Sequence, residues 1–146
     1  MDVEIKLDLN FKIPKLVIYT NEITNEISEI TKKLSTNNSK LLLGFDDKQI
    51  FIIKPNDVFS IFTENKKILA RSSRGLFKLK NRLYEIEENP PNESFVRISN
   101  SEIVNFSKVS SLDTSITGTI TLKFMNGEKT FVSRRYVEKI KKFLGV

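Results

Sequence analysis

The first residues of the chain alternate between apolar and polar positions in the rhythm of a β-strand. In residues 1–10 every second position is apolar, which points those side chains to one face of an extended chain. Residues 15–20 are rich in β-branched and aromatic side chains, as in a buried strand. The pattern therefore predicts two strands at the start of the chain.

The next segment has apolar residues at helical spacing. Thr20 or Asn21 can cap a helix, and the next large apolar side chains return every three or four positions, at Ile23, Ile27, Ile30 and Leu34. This spacing predicts a helix over about residues 20–34 with one apolar stripe that packs inward. The polar residues 35–39 then form the best linker in the chain. Residues 1–39 are thus predicted to be an N-terminal strand-helix attachment, and residues 40–146 a separate domain.

Short apolar runs separated by turn-forming residues dominate the rest of the sequence. They predict strands at residues 41–45, 49–54, 58–63, 67–72, 95–98, 102–106, 109–112, 115–125 and 128–132. Asn126-Gly127 predicts a two-residue type I′ hairpin turn. Helical spacing recurs near residues 80–88 and 134–144, and Ser133 can cap the second of these helices. We predict a mainly β (α+β) fold with small antiparallel sheets and a C-terminal helix.

The net charge of +6 is concentrated in the last third of the chain. Residues 1–40 have equal numbers of acidic and basic side chains, whereas residues 95–146 contain nine basic and four acidic ones. Such an excess is typical of a face that meets nucleic acid or an anionic membrane, although a solvated surface without a partner is the other interpretation.

Catalysis is not expected, because the sequence contains neither His nor Cys. The usual general base and the usual thiol nucleophile are therefore both missing. The paired carboxylates at Asp46-Asp47 lie in a predicted turn, and those at Glu85, Glu87 and Glu88 lie on a predicted helix exterior. Solvated charge explains both groups, so we expect no enzyme, metal, cofactor or small-molecule substrate.

Basic and polar residues at three predicted junctions are candidates for DNA contact. They are the turn at residues 65–67, the turn at residues 99–101, and Arg134-Arg135 in the first turn of the last helix. Arginine at a helix start can lie beside exposed backbone N–H groups and bind a phosphate or a guanine edge. From spacing alone, ordinary surface charge is the better explanation of the two arginines, and a local turn cap is the better explanation of Asn100.

Three motifs follow one another in the last third of the chain. They are FVRISNSEIVNF at residues 95–106, the hairpin ITLKFMNGEKTFV at residues 120–132, and SRRYVEKIKKFL at residues 133–144. Together and in this order, they resemble the LytTR family of DNA-binding domains. Residues 58–72 also resemble the first half of such a domain, so the resemblance covers about residues 41–146. It implies small antiparallel sheets of the LytTR type.

The resemblance also implies which residues contact DNA. Lys66 corresponds to a loop residue that enters a major groove, and Asn100 to a contact in the loop before Val104-Asn105. Arg135 corresponds to the base-reading arginine, and Arg134 is the expected phosphate contact. Ser99 replaces the usual family histidine, so any contact made by that imidazole is lost or replaced. Loops rather than a helix axis would then lie in the grooves.

The expected function is a cytoplasmic, sequence-specific regulator of transcription that binds double-stranded DNA with repeated half-sites. The chain would bind as a homodimer or as tandem monomers, and the resemblance implies a small membrane-protein regulator as a further partner. Residues 1–39 are too short for a phospho-receiver domain. The alternative is a protein-interaction module that acts through the N-terminal helix, with DNA binding secondary or lost. A peripheral membrane protein is disfavoured, because the basic residues alternate with strands instead of lining an amphipathic helix.

Overall fold

The computed structural model describes residues 1–34 and 41–146, and the chain divides into two compact units between residues 35 and 36. The predicted linker at residues 35–39 lies outside the described residues. Each unit is described by itself below.

The first unit contains one helix and no strand. Residues 1–24 are extended or turn-like without a paired neighbour, so both predicted N-terminal strands are wrong. A strand is stable only when its backbone N–H and C=O groups bond to an adjacent strand, and an alternating sequence cannot supply that neighbour. The apolar side chains of residues 1–9 are consequently exposed.

Helix α1 spans Asn25–Leu34 and begins later than the sequence predicted. The hydroxyl of Thr24 accepts a hydrogen bond from the Ile27 N–H at 3.3 Å, whereas the Thr20 hydroxyl is engaged in a local turn with Glu22. Thr24 therefore caps the helix.

Contrary to the prediction, the apolar stripe of α1 does not pack inward. Ile27 and Ile30 are half-buried, while Ile23 is 81% and Leu34 53% exposed. No residue of the helix is fully buried, because the first unit holds no second element against which the stripe could pack.

Over residues 41–146, the second unit is built from ten strands and two α-helices. All of its strand pairs are antiparallel, as predicted. The first five strands are β1 Leu42–Phe45, β2 Ile50–Ile53, β3 Val58–Glu64, β4 Lys67–Ser72 and β5 Gly75–Leu79. The remaining elements are α2 Leu83–Glu88, β6 Phe95–Ser99, β7 Glu102–Asn105, β8 Val109–Asp113, β9 Ile120–Phe124, β10 Lys129–Val132 and α3 Val137–Leu144.

Seven of these strands form one sheet in the order β2-β1-β5-β4-β3-β7-β6, and the other three form a small sheet in the order β10-β9-β8. The two predicted helices of this domain are confirmed, although the last begins with a 3-10 turn at Arg134–Tyr136 before α3. The helices of the described residues are separated by strands or by the inter-unit segment, so none of them forms a helix-turn-helix.

Two apolar cores lie on opposite faces of the large sheet. Helix α2 covers one face with Leu83 and Ile86, and the small sheet together with α3 covers the other face at strands β3, β7 and β6. Adjacent residues of β7 alternate between the two cores: Ile103 belongs to the first and Val104 to the second. Strands β3, β6 and β7 are therefore held from both sides, which fixes the turns at their ends.

The hairpin turn at Asn126-Gly127 is not the predicted type I′ turn. Only Gly127 has a positive φ (90°), its N–H donates to the Phe124 carbonyl at 3.0 Å, and the Phe124 N–H donates to the Glu128 carbonyl. This is the three-residue hairpin, in which a turn is followed by a left-handed glycine. The two-residue turn with positive φ at both central residues occurs instead at Asn65 and Lys66.

Candidate nucleic-acid interface

The β3–β4 turn presents Lys66 to solvent. Asn65 and Lys66 have φ values of 50° and 65°, and the register pairs Glu64 with Lys67 on either side of them. Asparagine tolerates the left-handed region, whereas lysine enters it at a cost. The exposed Lys66 side chain makes no hydrogen bond or salt bridge with any part of the chain that the structure describes.

Hydrogen bonds from Arg97 hold the β6–β7 turn in place. The Arg97 guanidinium donates from Nε to the Ser99 carbonyl at 3.0 Å and from Nη2 to the Asn100 carbonyl at 2.6 Å. Its Nη1 pairs with Glu87 of α2 at 3.1 Å, and the Arg97 side chain is only 16% exposed. A planar guanidinium with three engaged nitrogens fixes the turn and leaves the Asn100 side chain at the surface.

The segment that enters α3 lies against this turn. The Ser133 N–H donates to the Ile98 carbonyl at 2.9 Å, and the Tyr136 hydroxyl donates to Asn100 Oδ1 at 3.2 Å. Arg134 and Arg135 stand between these two anchors, and both are exposed. The anchors therefore bring the Arg134-Arg135 pair next to Asn100.

A further hydrogen bond brings the β3–β4 turn to the same end of the unit. The Thr63 N–H donates to the Ser101 carbonyl at 2.9 Å, and Phe62 of β3 pairs with Glu102 of β7. The end of β3 therefore runs beside the start of β7. The structure thus gathers at one end of the unit all four residues that the sequence singled out: Lys66, Asn100, Arg134 and Arg135.

Nearby carboxylates do not neutralise these cations. Glu87 is paired with Arg97, and Glu102 accepts a hydrogen bond from the Thr130 hydroxyl. Arg135 forms no salt bridge with Glu138 or Asp113 within the described residues, so an anchoring role for Arg135 in helix α3 is not supported. Three unpaired cations on one end of the unit favour an anionic partner.

One carboxyl of the second unit has a perturbed pKa, and it belongs to the small sheet. The Ser115 hydroxyl and backbone N–H, followed by the charge of Lys129, hold the pKa of Asp113 below its ordinary value. Both hydrogen bonds favour the ionised form. Asp113 is therefore ionised in the folded protein at neutral pH.

Arg97 and Tyr136 position the candidate contacts, although neither is among the site residues predicted from the sequence. The side chain of each bonds to the β6–β7 turn, a contact that spacing alone cannot reveal. The Phe-x-Arg pattern at residues 95–97 is the sequence signal for Arg97. Asn105 of the same motif is structural: it is buried, and its Nδ2 donates to the Pro55 and Val58 carbonyls.

The described part of the chain contains no group of three or more His, Cys, Asp or Glu side chains placed to hold a metal ion. None of its helices combines the length and the apolar character required to cross a membrane.

Comparison with known proteins identifies relatives over most of the chain. Residues 48–145 match the family described as the LytTr DNA-binding domain. Two relatives from Staphylococcus aureus, strains MSSA476 and MRSA252, are named as HTH-type transcriptional regulators. They are 36% and 35% identical to this chain over 138 residues, which cover 94% of this chain and 89% of each relative.

A solved structure supports the fold independently. A LytTr DNA-binding domain from Bacillus cereus superposes with a TM-score of 0.68 at 24% identity, covering 73% of this chain and 97% of that one. The likeness establishes a shared fold for the second unit. The helix-turn-helix in the names of the staphylococcal relatives has no counterpart among the described helices here.

Proposed function

The chain belongs to the LytTr DNA-binding domain family, and on that premise we propose that it is a transcription regulator that binds double-stranded DNA at specific sequences. The proposal includes a cytoplasmic location and the absence of enzymatic activity.

One observation carries the proposal. Three turns from separate parts of the chain converge at one end of the second unit, where Lys66, Arg134 and Arg135 are exposed and unpaired within the described residues. Duplex DNA is a polyanion that binds favourably to such a surface, because each phosphate that a cation neutralises releases condensed counterions.

The four candidates take three roles in this proposal. Arg135 reads a guanine edge in a major groove, since its guanidinium can donate two hydrogen bonds to O6 and N7. Arg134 and Lys66 bind phosphates, and Asn100 contacts DNA between them. Loops rather than a helix axis enter the grooves, because α3 buries Val137 and Ile140 in the second core.

The proposed target has repeated half-sites, each bound by one copy of the chain. Exposed apolar side chains of the first unit support a homodimer, because burial by a second copy would stabilise Leu34 of α1 and Ile23 just before it by at most ~1.5–3 kcal/mol each. A small membrane protein that restrains the regulator stays a prediction. An interaction module that uses α1 alone is the weaker candidate, since the family is defined by DNA binding.

Selection from a random pool of DNA duplexes tests the proposal. We expect the wild-type chain to enrich one short motif, present in two copies at a fixed spacing. The Arg135→Ala variant should enrich a motif that is degenerate at one position. Recovery of unenriched sequences by the wild-type chain would contradict sequence-specific binding.

A further inference from the structure

The hydrogen-bond acceptors of the β6–β7 turn are engaged by the protein itself. The Ser99 and Asn100 carbonyls accept from the Arg97 guanidinium, and the Ser101 carbonyl accepts from the Thr63 N–H. Each of the three backbone carbonyls of residues 99–101 thus has a donor within the protein. Carbonyl oxygens that faced a phosphate would repel it, and these bonds turn them toward the domain.

The side chain of Asn100 is engaged in the same way. Its Oδ1 accepts from the Tyr136 hydroxyl at 3.2 Å, whereas its Nδ2 has no partner among the described residues. An amide carries two donor hydrogens on nitrogen and two acceptor lone pairs on oxygen. The Tyr136 bond therefore occupies one lone pair of Oδ1 and leaves both donor hydrogens of Nδ2 available to a ligand.

We propose that Tyr136 orients the Asn100 amide so that the β6–β7 turn meets DNA with Nδ2 as a donor. Asn100 donates from Nδ2 to an acceptor, which is either a phosphate oxygen or a purine N7 or guanine O6. It does not form the two-bond contact with adenine in this proposal, because the adenine amino group would have to share Oδ1 with the Tyr136 hydroxyl. This inference rests on the proposed function and deepens it by assigning the chemistry of one contact.

Arg97 is the positioning residue of this contact. It is largely buried, touches no DNA in this proposal, and acts through the two carbonyls that it binds. Glu87 at 3.1 Å holds the third nitrogen, so the fork keeps one orientation. A lysine at position 97 would keep the charge but could not bind both carbonyls and Glu87 in the same plane.

Modified duplexes reveal which DNA atom Asn100 contacts. The duplex is the one best enriched by the wild-type chain, and the binding of wild type and of Asn100→Ala is compared on three sets of analogues. Methylphosphonates remove phosphate acceptors, 7-deazapurines and 2-aminopurine remove N7 and O6, and unsubstituted purine removes the adenine amino group. We expect one acceptor deletion to weaken wild-type binding by about tenfold and to leave Asn100→Ala unaffected.

The set that contains this coupled loss identifies the acceptor as phosphate or base. A coupled loss on removal of an adenine amino group would overturn the inference, and so would the absence of a coupled loss from both acceptor sets. A wild-type chain that bound no duplex at all would instead overturn the proposed function, which distinguishes the two failures.

Protein variants test the same contact from the other side. Asn100→Asp is nearly isosteric but replaces the donor by an anionic acceptor, so it should bind more weakly than Asn100→Ala. Arg97→Lys should weaken binding by about fivefold or more in the wild-type background and have little effect in the Asn100→Ala background. Glu87→Gln provides a milder version of the same test should Arg97→Lys melt early. Equal losses in both backgrounds would refute the positioning role.

Discussion

At the scale of single residues, Arg135 is the sharpest test of base recognition. If its guanidinium meets a guanine edge, Arg135→Ala should cost ~1–3 kcal/mol of binding free energy on the cognate site. The preference at one base position should flatten as well. Competition binding against single-base variants of the enriched site measures both effects.

Arg134→Ala and Lys66→Ala are the matched controls for Arg135→Ala. Each removes an exposed cation, and both should weaken specific and non-specific duplexes by similar factors, as expected for phosphate contacts. The melting temperature of Arg135→Ala should stay at the wild-type value, because Arg135 has no salt bridge within the described residues. Full sequence preference in a normally folded Arg135→Ala protein would contradict the assigned role.

The absence of histidine predicts that DNA affinity does not depend on pH near neutrality. No side chain of the sequence has an ordinary pKa between about 6 and 8. Asp113, whose pKa is lowered, is already ionised throughout this range, and it would lose its stabilising hydrogen bonds only as the pH fell through that lowered value. Binding titrations at constant salt should therefore give one Kd across the range, and a tenfold change would point to an unassigned titrating group.

At the scale of elements, a substitution in the β3–β4 turn should change the melting temperature and the DNA affinity in opposite directions. Lys66 has a positive φ of 65°, which costs a residue with a Cβ roughly 1–2 kcal/mol and a glycine nothing. Lys66→Gly should therefore raise the melting temperature while it weakens DNA binding, because the cation is lost. Lys66→Ala should weaken binding equally without the gain in stability, and equal melting temperatures for the two variants would rule out the turn strain.

Helix α1 offers the test of self-association. Ile27 lies in the centre of the apolar stripe, so Ile27→Asp should convert a dimer to a monomer if the stripe is the interface. Glu29→Ala, on the exposed part of the same helix, should leave the mass unchanged. Light scattering at several protein concentrations measures the mass, and a monomeric wild-type chain would exclude a dimer through α1.

The fold of the second unit could be predicted from sequence because its signals are local. Apolar runs, turn residues and the helical spacing near α2 and α3 act within a few positions, and each predicted helix was found. The N-terminal strands could not be predicted correctly, since a strand depends on hydrogen bonds to a second strand, and residues 1–34 contain no strand to provide them. The turn at Asn126-Gly127 also depends on the strand register, which the dipeptide alone does not specify.

Only the exposed residues of the candidate site could be predicted from the sequence. Lys66, Asn100, Arg134 and Arg135 carry signals of residue type and of family motif, and their DNA contacts stay predictions. The roles of Arg97 and Tyr136 could not be predicted although both residues lie in the family motifs, because these roles depend on distances between elements that are remote in sequence.

At the scale of the whole molecule, the distribution of charge and the architecture both favour a polyanionic ligand. The basic excess lies in residues 95–146, and the two cores on either side of β3, β6 and β7 hold three turns at one end of the unit. A rigid framework that presents loops to a ligand is a common arrangement for binding sites. Here the framework supports unpaired cations, which is the arrangement that a polyanion requires.

The dependence of DNA affinity on salt tests this account most directly. Affinity is measured for the enriched duplex and for a scrambled duplex of equal length, over a fourfold rise in salt concentration. We expect both affinities to fall by about tenfold or more, linearly in the logarithm of salt, while the enriched duplex stays the tighter at every point. Affinities that do not change with salt, or that are equal for the two duplexes, would contradict a sequence-specific DNA-binding regulator.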